Sequence, residues 1–181
     1  MSGHPHIAAT VAGIGVPVAD VDAREARLRA TMPEGSLPRA GTSEGRQLRR
    51  WLTQLLVTER VIAAEAAAAG LTADGAPAED ELLPDVSARL EIGSVAAAAL
   101  ADPLARAMFG HVTAAVDVTD AGVADYHARN PLRFATPAAA GNGWRTATLA
   151  APPLNAVRPV ITEHLRVAAR RRAFRLWLDA R

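Results

Sequence analysis

Between Arg46 and Ala69, Leu48, Leu52, Leu55, Ile62 and Ala66 recur at spacings of three, four and seven residues. That is the period of one face of an α-helix. Trp51, Leu56 and Val61 widen the apolar stripe, and Arg46, Arg49, Arg50, Glu59, Arg60 and Glu65 leave mainly one polar side. Gly70 follows where a helix needs a left-handed C′ residue. A helix of this length with so broad an apolar face must be covered on several sides. The spacing therefore predicts the centre of a helical core. Half of the residues are hydrophobic, alanine prominent among them, and aromatics make up only 4%. Small side chains and high helix propensity favour closely packed helices over a sheet-based core. A chain of 181 residues suits a single domain.

The remaining segments are organised around that helix. Ile7, Val11, Ile14, Val16 and Val18 surround Gly13 and Gly15, the pattern of a short β-hairpin. Asp20 or Asp22 is expected to cap a helix over 21–30. Residues 32–45 carry Pro33, Gly35, Pro38, Gly41 and Gly45 and read as a loop. Residues 72–84 are acidic and turn-rich, with Glu79, Asp80, Glu81 and then Asp85 as a solvated loop and helix start. A short helix is expected after Pro84. Ser94 is expected to cap 95–100, and Asp102 with Pro103 to open a helix over 104–115. Thr119 or Asp120 is expected to cap 121–128, ended by Asn130-Pro131. Residues 135–143 read as a linker and 144–149 as one short strand. A final helix over 153–181 carries Val157, Ile161, Leu165 and Ala168 as a stripe, with Val167, Phe174, Trp177 and Leu178 extending it.

Composition excludes several chemistries. There is no cysteine, so thiolate nucleophiles, disulfides and Cys-ligated zinc are out. All 20 basic residues are arginine, which removes Schiff-base and P-loop lysine chemistry. No G-x-S-x-G elbow and no H-E-x-x-H pair is present. No metal or cofactor is expected. A net charge of +1 argues against nucleic acid as a partner, and no apolar run is long enough to cross a membrane. The N-terminus lacks the basic start of a signal peptide, so a cytoplasmic location is expected.

Three stretches, in this order, resemble the SurA-like and parvulin-type peptidyl-prolyl isomerase chaperones. They are IAATVAGIGVPVADVDAREARLRA, RQLRRWLTQLLVTERVIAAEAAAAGLTADGAPAEDE and VTDAGVADYHARNPLRF. In the last, Val118, Thr119, Asp120, Val123, Tyr126, Asn130 and Phe134 match the family pattern, while His127 stands where that pattern has a second Tyr. Gly13-Ile14-Gly15 replaces its usual Asn-Gly turn. In the family, a catalytic parvulin domain follows the Phe. Here residues 135–152 stand in its place, and the last helix follows directly. The resemblance implies a mostly α, SurA-like helical module with a short N-terminal β-hairpin and a long C-terminal helix. It implies one domain over 1–181: strands and helices in 1–134, a linker in 135–152 and the closing helix in 153–181, packed back on the hairpin and early helices. It implies binding of apolar polypeptide segments without proline isomerase activity.

Trp51, Leu55, Tyr126, Phe134, Trp144, Phe174 and Trp177 are the candidate groove residues, with arginine at the rim. The rival reading is an enzyme or auxiliary protein of a biosynthetic pathway that holds a small apolar ligand, with His127, His164, Tyr126 and Arg172 as acid–base candidates. His164 lies near the apolar stripe, and a hydrogen-bonded core histidine is the plainer reading. Tyr126 and His127 are neighbours on a helix and diverge by about 100°, so they do not serve one reacting atom. The run Arg170–Arg172 reads as a solvated or ion-paired helix face. A hairpin and a helical arm that each expose apolar surface favour a homodimer.

Overall fold

The computed structural model describes residues 6–11, 13–135 and 151–181. The expected fold class is observed: a mostly helical chain with an N-terminal β-hairpin and a long C-terminal helix. The elements run β1 (Ile7–Val11), β2 (Ile14–Pro17), α1 (Val18–Thr31), α2 (Ser43–Ala68), α3 (Glu79–Leu82), α4 (Val86–Ile92), α5 (Ser94–Ala99), α6 (Pro103–Val112), α7 (Asp120–Arg129) and α8 (Leu154–Asp179). The strand expected over 144–149 lies outside the described residues.

β1 and β2 are antiparallel, with Ala9 opposite Val16, Thr10 opposite Gly15 and Val11 opposite Ile14. α1 begins at Val18 directly after the hairpin, with Pro17 at the N-cap, so neither Asp20 nor Asp22 caps it. Both aspartates instead form ion pairs with α2: Asp20 with Arg60, and Asp22 with Arg49 at 2.5 Å. α2 starts at Ser43 because the Thr42 side chain accepts a hydrogen bond from the Gly45 amide at 3.0 Å. It ends as its sequence predicts. Gly70 has φ 65°, and the Leu71 and Gly70 amides return to the carbonyls of Ala66 and Ala67, the bonding of a Schellman close.

α2 is central, as its periodicity requires. Leu55, Ile62 and Ala66 share one cluster with Leu82 and Leu83, Ala88 and Ile92 of α4, Ala96, Ala97 and Ala99 of α5 and its C-cap Leu100, Met108 and Phe109 of α6, and Phe174 of α8. A second, smaller cluster joins Val123 of α7 to Val157 and Ile161 of α8, with Tyr126, Phe134 and Leu165 against it.

Several helix ends depart from expectation for local reasons. Ser94 lies inside α5 rather than capping it, and its hydroxyl accepts from Trp51 Nε1 at 3.1 Å. The residue between α4 and α5 is Gly93, at φ 92° and ψ 150°. Essentially only glycine adopts that conformation. Gly93→Ala is therefore expected to cost about 1–3 kcal/mol, read by urea unfolding; a cost below a few tenths of that would show that the α4–α5 corner relaxes freely. α6 stops at Val112, short of the expected Ala115; the Thr113 hydroxyl that follows donates to the Phe109 carbonyl at 2.7 Å. Asp102 and Thr119 do cap α6 and α7. The acidic run is ordered in part as the single turn α3, with Glu79 accepting from Arg89.

α8 departs in part from the expected docking: it shares the main core with the early helix α2 through Phe174, but not with the hairpin. Its main partners are α7, α4 and α6, while the hairpin and α1 lean on α2. Among the described residues, α2 is a neighbour common to the arm and to α8, and its Glu65 accepts from Arg181 at 3.0 Å. The cause is visible on α1, which buries only Val21 and Glu25. A helix with so little apolar surface has no face to offer α8. Burial disfavours ionised Glu25, but hydrogen bonds and charge from Arg29 and Arg49 outweigh it and hold its pKa below the usual carboxylate value.

Candidate functional site

The six proposed groove residues that the structure describes do not form one surface. Leu55 and Phe174 lie inside the main core. Trp177 stacks on Phe174 with ring centroids 5.5 Å apart, and Trp51 packs on the same core with its indole N–H spent on Ser94. Tyr126 and Phe134 belong to the second cluster, and Trp144 lies outside the described residues. The physical reason is that an aromatic on an amphipathic helix goes where the helix face goes, and these faces point into two separate clusters.

The acid–base candidates are partly brought together. Tyr126 on α7 and His164 on α8 are in hydrogen-bond contact, 3.2 Å between Oη and Nε2. Phe134 completes a three-ring cluster, with centroids 6.3 Å from Tyr126 and 6.2 Å from His164. His127 faces elsewhere: its Nε2 donates to the Pro152 carbonyl at 2.8 Å and ties α7 to the start of α8. Arg172 is exposed on α8. Within the basic run, Arg170 donates to Thr113 and lies over the Phe109 ring, and Arg171 is buried.

His164 also lines the cleft between α4 and α8, a space of about 480 Å³. Pro84, Ala88, Val167 and Ala168 give the cleft apolar surface. Glu81, Asp85 and Glu91 from one side, with Arg133, Glu163 and Arg171 from the other, supply charge of both signs. Arg171 fixes one wall: it holds Glu91 at 2.7 Å and donates to the Leu82 carbonyl at 3.3 Å. Arg175 donates to the Glu91 carbonyl, a further tie between the helices. Sequence reasoning missed Arg133, Glu91, Glu163 and Arg171. The signal was present: Glu163, His164, Val167, Ala168 and Arg171 share a helical face, as do Ala88 and Glu91. What was not written in either segment is that these two faces meet.

Burial lowers the His164 pKa below its usual value, and the charges of Arg133 and Arg171 lower it further. The imidazole is therefore held neutral at pH 7, able to accept or donate one proton at the cleft wall. Because the folded chain binds this proton less well than the unfolded chain, His164 costs no stability above its unfolded pKa of about 6.5. Stability is lost as pH falls from there towards the lower folded value, and the loss then levels off. His164→Gln is expected to flatten the fall in unfolding free energy between pH 7 and 5; equal slopes in the two proteins would contradict this assignment.

Among the described residues, no group of three or more His, Asp and Glu side chains is placed to hold a metal ion. No helix there is long and apolar enough to cross a membrane. Residues 7–44, about a fifth of the chain, match a family of unknown function (DUF7158). No curated protein and no solved structure matches.

Proposed function

We propose that this chain is a chaperone-like binding protein that holds an apolar polypeptide segment reversibly in the α4–α8 cleft, without proline isomerase activity. It is a truncated, SurA-like module acting in the cytoplasm. The observation that carries the reading is the cleft itself, where apolar Pro84, Ala88, Val167 and Ala168 are flanked by charges of both signs. Apolar walls favour burial of client side chains. The flanking charges and the neutral His164 offer hydrogen bonds to peptide amides, whose loss from water must be compensated. The cleft replaces the groove expected from the aromatic residues, because Leu55 and Phe174 are not available to a client.

A second reading rests on Tyr126 and His164. A phenol hydrogen-bonded to a neutral imidazole beside a cleft is a pair suited to moving a proton on a small bound molecule. It would belong to an enzyme or auxiliary protein of a biosynthetic pathway.

Fluorescence anisotropy of a labelled, unfolded apolar peptide tests the first reading. Binding by the native chain, weakened at least tenfold by Val167→Glu with no gain of isomerase activity on a proline test peptide, is expected. No binding, or binding that Val167→Glu leaves unchanged, sinks it. Turnover abolished by both Tyr126→Phe and His164→Gln would favour the second.

A further inference from the structure

The hairpin and α1 form an arm at the start of the chain that rests on α2. Its substantial contacts with the rest of the chain are all with α2. Neither buried cluster contains an arm residue. Val16 and Val21 are its buried apolar side chains. Ion pairs cross the same seam: Asp20 with Arg60, Arg24 with Glu59, and Asp22 and Glu25 with Arg49. The fit is imperfect, since Arg24 Nε is buried there without a hydrogen-bond partner. A loop over 32–42 containing Pro33, Gly35, Pro38 and Gly41 joins the arm to α2. Fully extended, its eleven residues reach about 35 Å. The family match over 7–44 covers this arm, its loop and the first residues of α2, and nothing else.

From these observations we infer that the arm is exchangeable, and that its partner is a second copy of this chain. Each arm leaves its own α2 and seats on the α2 of the other protomer, giving a two-fold dimer in which every seam contact is remade between chains. The ion pairs suit this role. Three of the four pairs are partly exposed; Glu25 is the buried member of the fourth. Partly exposed pairs are weak singly and screened by salt, so raised salt loosens the seam without disturbing the main core. They also fix its register when it seats again. The inference stands apart from the cleft and does not depend on what the cleft holds.

Charge reversal separates exchange from a fixed arm. One variant carries Asp20→Arg and Arg24→Glu, reversing the arm. The other carries Glu59→Arg and Arg60→Glu, reversing the seat. Each alone opposes like charges at both positions. Mixed, they match at both seams only if the arms trade places. The variants are mixed at raised salt, returned to low salt and weighed by native mass spectrometry. The expected result is a one-to-one heterodimer at twice the monomer mass, formed by neither variant alone. A third chain with all four substitutions regains its own seam and is expected to match the native chain in thermal stability. A mixture that stays at monomer mass while the four-substitution chain is fully restored overturns exchange. A four-substitution chain no more stable than the two-substitution variants overturns the ionic seam on which the inference rests.

Discussion

Phe174→Ala lowers the unfolding free energy by about 3–5 kcal/mol, the largest effect expected of any single truncation here. Phe174 is fully buried, its ring 5.1 Å from that of Phe109 and stacked on Trp177. It is the one fully buried α8 residue in the main cluster, where it is the apolar anchor of α8 beside the part-buried Trp177 and Leu178. Its removal opens a cavity between rigid helices that Ala96, Ala97 and Ala99 are too small to fill. Urea unfolding followed by far-UV circular dichroism measures the loss. A cost below about 1 kcal/mol, the range of surface changes, would mean that α8 is not seated as described.

The second large effect belongs to Arg171. Its side chain is only 8% exposed, and its guanidinium is shared between Glu91 and the Leu82 carbonyl. Arg171→Ala leaves both without a partner. Breaking a buried pair costs about 3–5 kcal/mol, and the lower end applies because Glu91 is one-third exposed and water can reach it. Arg171→Met fills the space but leaves the same carboxylate unpaired, so it is expected to recover only the packing part of the loss. Arg171→Met combined with Glu91→Leu removes the orphaned charge and is expected to recover most of the rest. If the double variant is no better than Arg171→Met, the guanidinium–carboxylate contact is not what holds this wall of the cleft. The same variants report on function, because Arg171 and Glu91 both line the cleft.

What could be read from the chain alone was whatever a single segment encodes. The three-four-seven spacing of Leu48 to Ala66 identified α2 and its burial, Gly70 marked its end, and Asp102-Pro103 and Thr119 marked the starts of α6 and α7. The closing helix was legible for the same reason, with Val157 and Ile161 facing inward as their spacing requires. What was not legible is which face meets which. Arg49 reaches Asp22 and Glu25, Arg60 reaches Asp20, and Arg171 reaches Glu91 eighty positions away. Long flexible arginines carry no periodic signature for their partners. That is why α1 is expected from sequence to begin with an aspartate cap, and why the arginine run on α8 reads as a solvated or ion-paired face with no partner named. The cleft was invisible on the same ground: each of its two walls is an ordinary mixed helix face until the other is placed opposite.

Site-specific photo-crosslinking tests the central claim, that a client occupies the α4–α8 cleft, most directly. A benzophenone side chain is placed at Val167, inside the cleft, and in a second protein at Leu176, which is exposed on α8 but does not line the cleft. With a labelled unfolded apolar peptide, irradiation is predicted to give a covalent adduct at position 167 and none above background at 176. Equal labelling at the two positions, or labelling at 176 alone, would contradict the account.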